Sequence, residues 1–218
     1  MESELGIFQP FENRVHAGRQ LGRALQKYRT EPNLLVLGIP RGGIPVAAQV
    51  AISLNAPLDI LLVRKLGVPG QEEVAFGAIA SGHICVINQA VFQQLPSAAE
   101  TFEKVEAKEA RELARRTQIY CGDHPAPDLE DRCVIVVDDG IATGATMKAA
   151  LQAVRQAGAR QVVVAAPTAP ATIFDELQGL ADDMVILTTP VPFNAVSQVY
   201  RNFSQTTDAQ VREILEKA

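Results

Sequence analysis

Uniformly apolar strand-like runs alternating with helical stretches predict an α/β fold, a parallel sheet flanked by helices on both faces. The first unit is 34–39 (LLVLGI) and 58–63 (LDILLV) around an Ala-rich helical segment over 43–54. The second is 133–137 (CVIVV) and 162–166 (VVVAA) around a helix over 145–157 that Gly158 stops. A strand over 184–188 extends the pattern. Ahead of the first unit, Val15, Leu21, Leu25 and Tyr28 recur at helical spacing within 11–28, an amphipathic helix laid on one sheet face. Between the units, 76–81 and 84–87 have the character of short strands joined at Gly82 and His83, a hairpin near the sheet edge. The stretch 97–120 is a charged helix with Glu100 and Lys104, and Glu112 and Arg116, four residues apart, which predicts a solvated face.

A chain of 218 residues suits one such domain with a decorating insertion and can bury a core without metals or disulfides. The net charge of −5 gives no broad footprint for nucleic acid or an anionic membrane, so any anion site must be local. Three cysteines, Cys85, Cys121 and Cys133, lie far apart without CxxC geometry, which suggests neither a disulfide framework nor a zinc site and fits a reducing cytoplasm. With no apolar leader-like segment and no apolar run of roughly 18 residues, a soluble, unprocessed cytoplasmic protein is expected. His16, His83 and His124 show neither metal nor triad spacing.

The chemistry concentrates in VIVVDDGIATGATMKAA, where Asp138 and Asp139 stand at the end of an apolar strand and a Gly- and Thr-rich turn opens a helix. Ligands of open α/β sheets bind beyond the carboxyl ends of the strands. Gly140 and Gly144 let successive backbone N–H groups converge, and the helix N-terminus adds its positive dipole end, an arrangement suited to a phosphate monoester. The hydroxyls of Thr143 and Thr146 complete the cradle, while the paired carboxylates suit ribose hydroxyls and can hold Mg2+ through water. Neither GxGxxG nor a P-loop is present, since Ala145 stands where a P-loop needs Lys. A phosphatase-like hydrolase is disfavoured by the absence of DxD spacing.

At these residues the sequence resembles the phosphoribosyltransferases, whose signature is an apolar strand, two acids, two variable positions, a small or acidic residue, then TGxT. The resemblance implies the type I phosphoribosyltransferase fold with a small hood or lid insertion, as a single domain over 1–218. A lid loop would cover about 64–75, and hood elements about 1–30 and 189–218. It assigns Asp138, Asp139, Gly140, Ala142, Thr143, Gly144, Ala145 and Thr146 to phosphoribosyl binding, with the two acids serving Mg2+. Arg41, Gly42 and Gly43, which follow the first strand, resemble the pyrophosphate loop, and Arg64 and Lys65 resemble the start of a mobile catalytic loop. Phe193 stands where the family places a ring over the base, and Glu73 or Glu72, in the lid, is the candidate proton acceptor once that loop closes. Hypoxanthine-type members carry Asp where this chain has Ala142, and the Lys expected after the next strand is absent from AAPTAPAT, which disfavours guanine or hypoxanthine. FENRVHAGRQLG, GIPRGGIPVA and YRNFSQTTD place the chain near a bacterial group without an assigned substrate. The activity implied is transfer of 5-phosphoribose from phosphoribosyl-pyrophosphate to a nitrogen acceptor. The alternative is a sensor of phosphoribosyl-pyrophosphate or a nucleotide that keeps the fold without turnover. No nucleic-acid or membrane partner is expected, and a homodimer is the commonest closed assembly.

Overall fold

Residues 9–218 are described by the computed structural model, apart from the side chains of Glu72 and Glu73. The apolar runs form strands β1 (Leu34–Gly38), β2 (Leu58–Ile60), β6 (Cys133–Val137), β7 (Gln161–Thr168) and β8 (Asp183–Thr188). Between β2 and β6 lie β3 (Val63–Val68), β4 (Gln71–Ala80) and β5 (Ile84–Ile87). The helices are α1 (Arg14–Ala24), α2 (Gly43–Leu54), α3 (Gln89–Phe92), α4 (Ala98–Tyr120), α5 (Ala145–Gln156), α6 (Ile173–Glu176) and α7 (Asp208–Leu215). The main sheet has the order β2-β1-β6-β7-β8, every pair parallel. All of β1 and β6 is buried, as uniformly apolar strands in a two-sided sheet require.

Alternation along the strands splits the core into two layers. Leu34, Val36, Ile135 and Val137 face α1 and α2 through Leu21, Val46, Val50 and Leu54. Leu35, Leu37, Val134 and Val136 face α5 through Met147, Leu151 and Val154. Gly18 lets α1 lie close on α2, because a Cβ there would fall 2.6 Å from the Val46 carbonyl oxygen. Val15 departs from the expected apolar face and stays 37% exposed.

The middle of the chain departs further from expectation. Residues 64–75, expected as a loop, belong mostly to an antiparallel pair, β3 and β4, that turns at Pro69 and Gly70 (φ +80°). The expected hairpin of 76–87 is β4 with β5, yet it joins no edge of the main sheet and builds a second sheet, β3-β4-β5. Helix α4 is not solvated all round. Phe102, Val105, Ala110 and Leu113 pack on Leu66, Phe76 and Ile79 of the small sheet, while Glu112 and Arg116 pair on the outside at 2.8 Å as expected. The charges hid a spaced apolar stripe.

Of the expected hood, residues 1–8 lie outside the described residues. Phe11 and Tyr200 bridge the two ends of the chain, with Phe11 N–H donating to the Val199 carbonyl and Arg201 N–H to that of Phe11, each at 2.8 Å. α7 seals the edge strand, its Val211 packing with Ile44, Ile60 and Leu62.

Candidate active site

Register decides what meets at the carboxyl edge of the main sheet. Gly38 of β1 is level with Val137 of β6, and Val137 with Ala165 of β7, so the loops after these strands emerge side by side. Gly42 and Gly43 press against the acid pair. A Cβ on Gly42 would fall 1.9 Å from Asp139 Oδ2, and one on Gly43 would fall 2.7 Å from the Val137 carbonyl oxygen. Only glycine permits two loops to abut so closely.

Gly144, at φ +69°, turns the chain into α5. Among the described residues no protein acceptor takes the backbone N–H groups of Ala142 through Met147, whereas Lys148 N–H already bonds back to the Gly144 carbonyl at 2.8 Å. Ala142, Thr143 and Thr146 are exposed at this crest. Unsatisfied amides at the start of a twelve-residue helix form a ready anion cradle.

The two acids differ in surroundings. Asp139 Oδ2 accepts from Arg14 Nε at 2.7 Å, with both side chains nearly buried. Arg14 also donates to the Ser204 carbonyl at 2.6 Å and lies 3.9 Å from the Phe203 ring centre. Tyr200 donates its hydroxyl to the Asp139 carbonyl at 2.6 Å. Burial first, and then the neighbouring Asp139 charge, push the Tyr200 pKa up. Asp138 is half-buried by surface area yet hemmed in by protein. Burial first, and the Asp139 carboxylate second, hold its pKa well above the usual carboxylate range.

A cavity of about 520 Å³ opens next to this edge. Pro40 lines it from the loop after β1, Thr146 from the first turn of α5, Arg64 and Lys65 from β3, and Lys108, Glu109 and Arg116 from α4. The structure therefore brings Arg64 and Lys65 to the cavity that borders the cradle. Arg41 lies half-exposed, 3.6 Å from Asp208 of α7, which also accepts from Tyr120 at 2.6 Å. Phe193 is half-buried after β8 and belongs to none of the apolar clusters, so the structure does not pack it as core. Glu73 has its backbone in β4, and its side chain lies outside the described residues.

A model of the phosphoribosyl transferase domain matches residues 15–176. The chain belongs to that family. A Mycobacterium tuberculosis protein, provisionally named a phosphoribosyl transferase, is 47% identical over 208 residues and covers 95% of the chain. The chain spans about half (47%) of that relative's length. The crystal structure of TT1426 from Thermus thermophilus is 37% identical and superposes with a TM-score of 0.84 over 96% of this chain and 99% of its own. The central parallel sheet flanked by helices is thus the family fold.

Asp138 and Asp139 are the candidates for a magnesium site. Among the described residues no group of three or more His, Cys, Asp or Glu could hold a metal. Two adjacent carboxylates fit Mg2+, which keeps several waters and takes its remaining ligands from substrate phosphates. Sequence reasoning missed Arg14, Tyr200, Glu109 and Asp208. Arg14 and Tyr200 sit within FENR and YRNF, but nothing local announces that their partner is Asp139, 125 and 61 residues away.

Proposed function

We propose that the chain transfers 5-phosphoribose from phosphoribosyl-pyrophosphate to a nitrogen acceptor in the cytoplasm, with Mg2+. The bond from C1 of the ribose to pyrophosphate breaks as one from C1 to the acceptor nitrogen forms. The electron pair leaves with pyrophosphate, and the acceptor's proton passes to a base, with Glu73 the candidate. The observation that carries this reading is the unsatisfied amide crest over Ala142 through Met147, placed beside a cavity lined by Arg64 and Lys65.

The cradle takes the 5-phosphate, with Gly140 and Gly144 shaping it and Thr143 and Thr146 adding hydroxyls. Asp138 and Asp139 accept from the ribose hydroxyls, and these two carboxylates would hold Mg2+, which would supply charge neutralisation for the diphosphate. Arg41, Gly42 and Gly43 receive the diphosphate, and Arg64 and Lys65 offset the charge that grows as it leaves. The β3–β4 hairpin acts as the lid that keeps water from an oxocarbenium-like transition state. Phe193 covers the acceptor. The test is incubation with phosphoribosyl-pyrophosphate, Mg2+ and a panel of nucleobases and amines while pyrophosphate release is followed. Release that depends on one acceptor is expected. Tight magnesium-dependent binding without turnover identifies a sensor instead.

A further inference from the structure

Glu109, in the middle of α4, is only 9% exposed. A carboxylate so far removed from water needs a paired cation, and Arg64 of β3 supplies it. Arg64 Nε and Nη2 both donate to Glu109 Oε2, at 2.8 Å and 2.5 Å. One edge of the guanidinium is therefore occupied. Among the described residues nothing accepts from Nη1, so Nη1 and the second Nη2 proton make up an open edge. That edge has the spacing that grips two oxygens of one phosphate. Both residues line the cavity, together with Lys65 and Thr146.

We propose that Glu109 is a positioning residue, which holds one edge of Arg64 so that the other faces the cavity and takes the departing diphosphate. The inference rests on the transferase reading and deepens it by assigning a role to a helix outside the nucleotide loops. An arginine on an open strand samples many rotamers, and fixing it before the ligand arrives removes that ordering cost from binding.

The experiment titrates magnesium pyrophosphate into the wild type, Arg64→Ala, Glu109→Ala and the double variant, with ribose 5-phosphate titrated in parallel. Arg64→Ala and Glu109→Ala are each expected to weaken pyrophosphate by at least about tenfold. The double variant should be no weaker than Arg64→Ala alone, which a purely structural role for Glu109 would not produce. Ribose 5-phosphate affinity should be unchanged. Glu109→Gln keeps the volume and an accepting oxygen, so it preserves the fold if Ala does not. It should weaken pyrophosphate by a smaller factor, about threefold, again with no further loss on top of Arg64→Ala. Additive losses, or tighter binding on removing Glu109, would overturn the proposal, the latter because the acid then merely competes with the anion. A wild type that binds ribose 5-phosphate but not pyrophosphate overturns this inference alone. One that binds neither overturns the transferase reading with it.

Discussion

Two regions face each other across the cavity, and they hold their functional groups by different means. At the carboxyl edge of the parallel sheet, backbone does the holding: register levels three strand ends, and glycines at 42, 43 and 144 let loops abut and turn. On the β3–β5 sheet and α4, side chains do it, with Arg64 locked on a buried Glu109. In consequence an added Cβ at Gly42, Gly43 or Gly144 collides with its neighbours, while at Gly70, the turn of the second region, it meets nothing.

The largest effect should follow from Gly42→Ala. Its Cβ would fall 1.9 Å from Asp139 Oδ2, and the carboxylate cannot yield without leaving Arg14. A loss of about 1–3 kcal/mol of stability and abolished phosphoribosyl-pyrophosphate binding are expected, read by thermal denaturation and calorimetry. Gly70→Ala, at the β3–β4 turn with open space around it, is the matched control. It should cost only the strain of φ +80°, about 1–2 kcal/mol, and leave binding intact. Equal effects on binding would break the contrast between the regions.

Next in size is the joint replacement of Arg64 and Lys65 by Ala. If these groups act mainly as pyrophosphate departs, turnover should fall by about a hundredfold or more while ground-state affinity falls much less. Slow hydrolysis of phosphoribosyl-pyrophosphate supplies the rate, and titration the affinity. Equal losses would restrict both residues to binding.

The smallest effect concerns Asp138 alone. Its folded pKa is raised, so the fold favours the protonated carboxyl and gains stability from it that ionisation removes. That stability is complete below the unfolded carboxylate range, near about 4, and is lost as pH rises through the folded pKa. Asp138→Asn should therefore melt higher than the wild type at neutral pH, with the gap closing as pH falls toward about 4. A variant that melts lower at neutral pH would show that the carboxylate is satisfied in the empty fold.

The parts legible in sequence were those set by local rules. The bounds of α2 and β6 follow from an Ala-rich segment and an unbroken apolar run, and glycines at 144 and 158, where the structure turns through positive φ, flank α5. The β3–β4 hairpin was not legible, because RKLGVPGQEE carries turn formers and charge where strands usually carry neither. Its pairing is imposed from outside, by α4 covering Leu66 and Phe76. Helix α4 itself misled for the same reason: Glu109 is one acid among many in a charged run, and only the fold shows that it is buried. Arg14 was hidden by distance in the chain, since a contact across 125 residues leaves no local pattern.

On the proposed function, the acid pair and the crest beside it bind the phosphoribosyl group. The decisive comparison is titration of phosphoribosyl-pyrophosphate in Mg2+ into the wild type and into Asp138→Asn combined with Asp139→Asn. Each charge-assisted hydrogen bond to a ribose hydroxyl contributes about 1.5–3 kcal/mol, so affinity should fall at least about tenfold. Unchanged affinity in a folded double variant would refute this role and move the ribose away from Asp138 and Asp139.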